Sequence, residues 1–311
     1  MSQNKAVILG TRGSRLALVQ ADSCAEMLRA VGLSVEVRAI KTTSEHHPET
    51  PLSVIDQRDV FTRQLDEALL NGEIDLAVHS AKDVPTEIPE GISLAAFTER
   101  HDPSDALVSG AGYDVDGLPR EAVVATSSLR RRAQLLNRRP DLRIVGIRGN
   151  VDTRVRKMRE GQADALVLAY AGLERLGLDI RVPHVAVSPE IMLPAVGQGA
   201  LAVATLEDHS LRGEIRAALN HESSEKVVLT ERAMLRTLEG GCRVPVGALG
   251  GIVNDAGIWL RGVVASPDGA LIYRGEAVGV EPEEVGERLA RDLLAQGAEI
   301  VLGEIREVRS G

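Results

Sequence analysis

The stretch Ala122-Val-Val-Ala-Thr-Ser-Ser-Leu-Arg-Arg131 decides how this chain is built. Its first four residues read as a short buried strand, and a helix is expected from Leu129 to Asn137. The pattern then repeats: strand Leu142 to Ile147, helix Val151 to Glu160, strand Asp164 to Ala169, helix Ala171 to Leu176. Strands and helices that alternate in this way predict a parallel sheet with right-handed crossovers. Two strand ends run straight into arginine, at Thr126-Ser-Ser-Leu-Arg-Arg131 and at Arg148-Gly-Asn-Val-Asp-Thr-Arg154. Arg130, Arg131, Arg148 and Arg154 are therefore expected to converge near one sheet edge, a geometry suited to a polycarboxylate ligand.

Toward the N-terminus the same grammar appears. Lys5 to Gly10 reads as a buried strand, and Thr11-Arg-Gly-Ser-Arg15 turns into a helix reaching about Val31. Strand, glycine turn and helix is a layout that points backbone N–H groups at an anion. Arg12 and Ser14 stand at that helix start, where Ser14 is either an anion contact or an ordinary cap. Cys24 falls among apolar neighbours and reads as core. A strand over Leu33 to Ile40, a helix over Phe61 to Leu70 and a strand over Ile74 to Val78 follow. Directly after that strand comes His79-Ser-Ala-Lys-Asp-Val-Pro85. Ligand chemistry in open α/β sheets gathers beyond the C-terminal ends of strands. The Lys82-Asp83 pair is thus either part of a site, with Asp83 handling protons or steadying a developing cation, or an ion pair and loop cap. His79 reads as a hydrogen-bonded core residue. After a strand over Ile92 to Phe97, the polar segment Thr98 to Asp105 is a candidate crossing between domains, and Pro189 to Gly199 is a candidate return loop.

Toward the C-terminus, a helix over Ser223 to Leu238 arrives at Glu239-Gly-Gly-Cys-Arg-Val-Pro-Val-Gly247, where the glycines stop it and Pro245 prevents it from resuming. Cys242 sits in this loop beside Arg243. It is either a reachable thiol whose thiolate the guanidinium favours, or a small apolar residue in a turn. Three strand-like runs, Val246 to Val253, Ile258 to Ala265 and Leu271 to Val280, are separated by Asn254-Asp-Ala-Gly257 and Ser266-Pro-Asp-Gly269, which predicts an antiparallel sheet. A helix from about Glu283 to Ala295 completes a small α+β domain.

Composition bounds the function. With 311 residues, 44% hydrophobic and 26% charged, the chain has room for two or three globular domains. Its apolar runs are too short to cross a bilayer, no signal peptide is evident at the start, and two cysteines make no disulfide framework. A cytoplasmic protein without membrane contact is expected. Net charge is −9, yet residues 130 to 159 hold ten Arg and Lys157 against Asp141 and Asp152, so that window is +9 and the remainder −18. Something anionic is expected there. Six aromatic residues in the whole chain, none in the window, argue against single-stranded nucleic acid. The adjacent His46 and His47 match no standard metal spacing, and no metal is expected.

Taken together, His79-Ser-Ala-Lys-Asp-Val-Pro85, Thr126-Ser-Ser-Leu-Arg-Arg131, Arg148-Gly-Asn-Val151, Leu193-Pro-Ala-Val-Gly-Gln-Gly199 and Glu239-Gly-Gly-Cys242 closely resemble the porphobilinogen deaminase (hydroxymethylbilane synthase) family, in order and over nearly the whole chain. The resemblance implies an α/β protein in which two periplasmic-binding-protein-like α/β domains face each other across a cleft, with a small C-terminal α+β domain. It places domain 1 at residues 1–98 and 199–217, domain 2 at 103–193 and domain 3 at 220–311. The implied activity is a transferase of tetrapyrrole and haem biosynthesis that joins four porphobilinogen units with loss of ammonia and releases hydroxymethylbilane. The primer is a dipyrromethane cofactor held through a thioether by Cys242, where a soft thiolate can trap an electrophilic methylene.

Asp83 matches the catalytic carboxylate, which also contacts the cofactor, and Lys82 a further cofactor contact. Ser128, Arg130, Arg131 and Arg154 would serve the cofactor, while Arg12, Ser14, Arg148, Arg154, Arg175 and Gln198 would serve the substrate or growing chain. The resemblance further implies a monomer whose product passes to uroporphyrinogen III synthase. One region departs from the family pattern. Ser44-Glu-His46 and Ile55-Asp-Gln-Arg-Asp-Val-Phe61 stand where the family has glycines and a lysine, with Arg58 left to keep the positive charge. Two other readings compete with it: a two-lobed binding or sensor protein for an anionic small molecule, and a nucleic-acid binder using the arginine window, which the net acidity disfavours.

Overall fold

A computed structural model describes residues 6–41, 62–238, 244–254 and 257–303. The chain divides into two compact units, Met1–Arg100 with Ala200–Glu225, and His101–Gly199 with Lys226–Gly311.

The first unit is built on a five-stranded sheet of β1 (Val7–Arg12), β2 (Val35–Ile40), β3 (Leu76–Ser80), β4 (Ile92–Phe97) and β10 (Leu201–Leu206), in the order β2-β1-β3-β10-β4. β1 pairs in parallel with β2 and β3, whereas β10 runs antiparallel to both β3 and β4. Helix α1 (Arg15–Ala30) buries Ala21, Cys24, Ala25 and Leu28, one face at helical spacing, and Gly32 ends it with φ +90°. That face packs with β1, β3 and helix α6 (Arg212–Leu219), while helix α2 (Arg63–Leu70) puts Leu65, Ala68 and Leu69 into a separate core. Covered on both faces, β3 reads as an unbroken apolar run up to His79.

In the second unit, β5 (Asp105–Ser109), β6 (Val123–Ala125), β7 (Arg143–Val145), β8 (Ala165–Ala169) and β9 (His184–Ala186) form a sheet of order β7-β6-β8-β5-β9. β6 is parallel to β7 and β8, and β5 is antiparallel to β8 and β9. Helices α3 (Leu129–Arg138), α4 (Val151–Lys157) and α5 (Tyr170–Arg175) make the connections. The purely parallel sheet expected from the alternation is therefore mixed. Both sheets share one topology, with an antiparallel strand inserted fourth. That strand lies just past each chain crossing: β5 follows Arg100–His101 and β10 follows Gly199–Ala200. Short runs beside Pro- and Gly-rich crossings show no period of their own, which is why β5, β9 and β10 escape a local reading.

The antiparallel sheet expected near the C-terminus is present as β11 (Val246–Val253), β12 (Gly257–Ala265) and β13 (Ile272–Gly279). Its core is closed by helix α7 (Glu222–Thr237) and helix α8 (Pro282–Leu293) through Met234, Leu235, Leu289 and Leu293. The helices approach closely at Gly286, where a Cβ would stand 2.7 Å from the Ala233 methyl and crowd the Thr230 carbonyl. Because the obstacle includes α7 backbone, Gly286→Val should push α8 outward and lower stability by about 1–3 kcal/mol, read from the urea midpoint. An unchanged midpoint would mean that this helix contact is looser than described.

Candidate active site

In the first unit the residues of interest gather at the C-terminal ends of β1 and β3. Arg12 is the last residue of β1, and Ser14 caps α1, its Oγ accepting from the Ala17 N–H at 3.3 Å. Beneath it the buried Thr11 hydroxyl donates to the Ala17 carbonyl at 3.1 Å. β3 ends at Ser80, and a single 3₁₀ turn, Ala81–Asp83, carries Lys82 and Asp83, both half-buried. The turn is held from two sides. Ala81 N–H donates to the Ala200 carbonyl at 3.0 Å, and the Gln20 amide of α1 donates to Ser80 Oγ at 3.0 Å. His79 is buried, as read from the sequence, and burial, with the Arg12 charge second, lowers its pKa to about 4. It is a neutral imidazole across the physiological range.

In the second unit a cleft of about 490 Å³ opens beyond the ends of β6 and β7. It is lined by Thr126 to Leu129, Ile144 to Arg148, Arg132, Lys157 and Gln162. Ser128 caps α3 there, and Ser127 ties the two strand ends together, its Oγ donating to the Ile147 carbonyl at 2.7 Å and accepting from the Ile147 N–H at 3.0 Å. Arg148 sits on the wall, its carbonyl accepting from Lys157 Nζ at 3.1 Å. Cationic side chains and a serine at a helix start are a donor set that matches carboxylates.

Of the four arginines expected to converge, Arg130 and Arg131 share one buried partner. Arg154 donates through Nε to the Gly149 carbonyl at 2.7 Å. Arg130 and Arg131 turn inward, only 5% and 7% exposed, onto the fully buried carboxylate of Asp105. Arg130 Nη1 meets Asp105 Oδ2 at 2.6 Å and the Leu193 carbonyl at 2.7 Å. Arg131 meets Asp105 Oδ1 through Nε at 3.0 Å and Nη2 at 2.8 Å, and its Nη1 donates to the Val167 carbonyl at 3.0 Å. Burial alone would raise the Asp105 carboxyl, but the two guanidiniums hold it well below the usual carboxylate range. Removing such a carboxylate strands two buried cations, a change worth roughly 3–5 kcal/mol.

Gln198 joins this cluster, its amide nitrogen donating to Asp105 Oδ1 at 3.0 Å and to the carbonyls of Pro103 and Ser104 at 2.7 and 3.2 Å. The rest of the Leu193–Gly199 motif is equally engaged. Gln134 exchanges two hydrogen bonds with the Leu193 backbone, Gly197 N–H donates to the buried Glu231 at 2.7 Å, and Arg175 Nη2 donates to the Gly199 carbonyl at 2.7 Å. Elsewhere in the basic window, Arg138 pairs with Asp116, Arg139 with Asp141 and Arg156 with Glu160. Asp105, Gln134 and Glu231 are not legible in the sequence, because a buried polar or charged side chain has no local marker. The one available signal was an acidic residue opening the apolar run Asp105-Ala-Leu-Val-Ser109. Cys242, Arg243, His46, His47 and Arg58 lie outside the described residues, and no described helix is long and apolar enough to cross a membrane.

Comparison with known proteins adds the family. A model described as "Porphobilinogen deaminase, dipyromethane cofactor binding domain" matches residues 7–213, and one described as "Porphobilinogen deaminase, C-terminal domain" matches residues 226–295. A porphobilinogen deaminase from Rubrobacter xylanophilus is 65% identical over 303 residues, covering 97% of this chain and 98% of that one. Those from Desulforudis audaxviator and Shouchella clausii are 47% and 43% identical over 96% and 98% of this chain, and 98% and 99% of theirs. Among solved structures, the methionine-binding protein MetQ aligns with a TM-score of 0.44 at 15% identity, over 68% of this chain and 89% of that one. The Bordetella pertussis BvgS periplasmic VFT2 domain aligns at 0.42 and 18%, over 75% and 94%. Likenesses at that level bear on neither substrate nor mechanism.

The His79 environment makes a checkable statement about pH. The folded state refuses a proton that the unfolded chain accepts below pH 6.5, so stability is lost as pH falls from 6.5 toward 4. Over that window the loss amounts to roughly 3 kcal/mol. Urea midpoints measured from pH 7 to pH 4.5 should fall more steeply for the wild type than for His79→Gln. Parallel profiles would show that His79 is not held neutral.

Proposed function

Since the chain belongs to the porphobilinogen deaminase family, we propose that it joins four porphobilinogen molecules head to tail, with loss of one ammonia per unit, and releases hydroxymethylbilane by hydrolysis. The observation that carries this reading is the near-full-length match to relatives bearing that enzyme's name. They are named as enzymes, so a binding or sensing role is set aside.

The primer is a dipyrromethane carried by Cys242, which when bound supplies the pyrrole carbon that receives the first unit. Everything else falls to side chains of this chain. Asp83, set at the end of β3 by a turn pinned from two sides, accepts hydrogen bonds from pyrrole N–H groups and stabilises the positive charge that develops as the amine departs. Lys82 contacts the primer beside it. Each pyrrole carries an acetate and a propionate, so every added unit brings two carboxylates that need cationic partners. Ser128, Arg130, Arg131 and Arg154 serve the primer, and Arg12, Ser14, Arg148, Arg154 and Arg175 serve the substrate and growing chain. Gln198 has its amide nitrogen committed inside the protein, and its contribution is to hold other groups in place.

The proposal includes three domains at residues 1–98 with 199–217, 103–193 and 220–311. It also includes a cytoplasmic monomer whose product, a linear chain with a reactive hydroxymethyl end, goes on to uroporphyrinogen III synthase.

Incubation with porphobilinogen, followed by assay of released ammonia and of hydroxymethylbilane, tests the reaction directly. The wild type should turn over, and Asp83→Asn, folded and carrying primer, should lose about 100-fold or more in kcat. Wild-type protein that carries primer and yet releases no ammonia would overturn the proposal. Near-normal turnover in Asp83→Asn would take that carboxylate out of the mechanism.

A further inference from the structure

Two guanidiniums are buried against one carboxylate in the second unit, and the count is uneven. Arg130, Arg131 and Asp105 together carry one net positive charge, the first turn of α3 contains no acidic residue, and among the described residues the charges that act most on Arg130 are those of Asp105 and Arg131. A surplus buried charge is costly unless something completes it. The arrangement is also fixed in orientation. Asp105 takes both oxygens' worth of contacts from the two arginines, the Leu193 and Val167 carbonyls hold the other ends, and Gln198 anchors Asp105 from the return loop. That loop can reach only because Gly197 and Gly199 adopt φ of +71° and +97°.

We infer that Asp105 is a positioning residue for the primer-binding arginines: it locks the Arg130 and Arg131 guanidiniums in one orientation before a ligand arrives, and sets their joint charge so that a single carboxylate of the pyrrole chain completes the cluster. The inference rests on the function proposed above, in which these arginines serve the primer. A forked donor gains specificity from being held in plane, and a carboxylate entering a pre-ordered pair needs no rearrangement of its partners. Asp105 itself touches no substrate. Its effect acts through the arginines that hold the primer.

The test follows primer acquisition by intact mass in chains expressed in cells unable to make porphobilinogen and then exposed to it. Asp105→Glu keeps the charge and shifts the carboxylate by one methylene, and Asp105→Asn keeps the shape and removes the charge. Each variant that unfolds cooperatively should gain the two-pyrrole mass about tenfold more slowly than the wild type, or slower still. Asp105→Glu, which keeps the charge, should load faster than Asp105→Asn, a ranking that a general loss of stability does not produce. Loading at the wild-type rate in a folded variant overturns the inference. If one variant fails to fold, the other decides. If neither folds, Asp105 is a structural ion-pair partner and the inference is wrong. A wild type that gains no mass overturns the proposed function and this inference with it, whereas normal loading of wild type and variants alike removes only the role of Asp105.

Discussion

One carboxylate, that of Asp105, answers for two guanidiniums in the interior of the second unit, and much of the surrounding architecture exists to keep it there. It opens the antiparallel strand β5, which lies between β8 and β9, fourth in the sheet. Its partners come from the start of α3 and from the return loop at Gln198. A core hydrophobic contact tolerates small displacements, but a buried ion cluster does not, because each lost donor leaves charge unsatisfied. The position of α3, of the return loop and of β5 are therefore set jointly by one site.

The same constraint explains why a sequence motif rich in Pro and Gly behaves as architecture. In Leu193–Gly199 the polar groups of the motif are spent on Gln134, Glu231, Arg175 and Asp105. Glu231 extends the tie further, since its second oxygen accepts from the Gly250 N–H of β11 at 2.9 Å. A helix that ends shortly before Cys242 in sequence is thereby bound to the α/β part of its own unit.

Elements with a period of their own were legible in the sequence: α1, α3, α7, α8, the three C-terminal strands, and β3 with the Lys82-Asp83 turn beyond it. Their apolar spacing or turn chemistry is local, and local signals survive without coordinates. β5, β9 and β10 were not legible, because their membership of a sheet depends on partners far along the chain. The site divides in the same way. Asp83, Ser128 and Arg148 stand at strand or helix ends where position follows from pattern. Arg130 and Arg131 were legible as charges but not as buried ones, since Asp105, which draws them inward, lies in a strand the pattern does not reveal. Ser14 was ambiguous between capping and binding, and it caps its helix in the structure, as Ser128 does. Capping occupies the side-chain oxygen as an acceptor and leaves the hydroxyl hydrogen to donate, so capping does not exclude binding.

The measurement that bears most directly on the account is the intact mass of the denatured protein beside a Cys242→Ser variant. The account predicts a wild type heavier than its sequence by two linked pyrrole units and a variant at its sequence mass. A wild type that stays at its sequence mass, even after exposure to porphobilinogen, would contradict it.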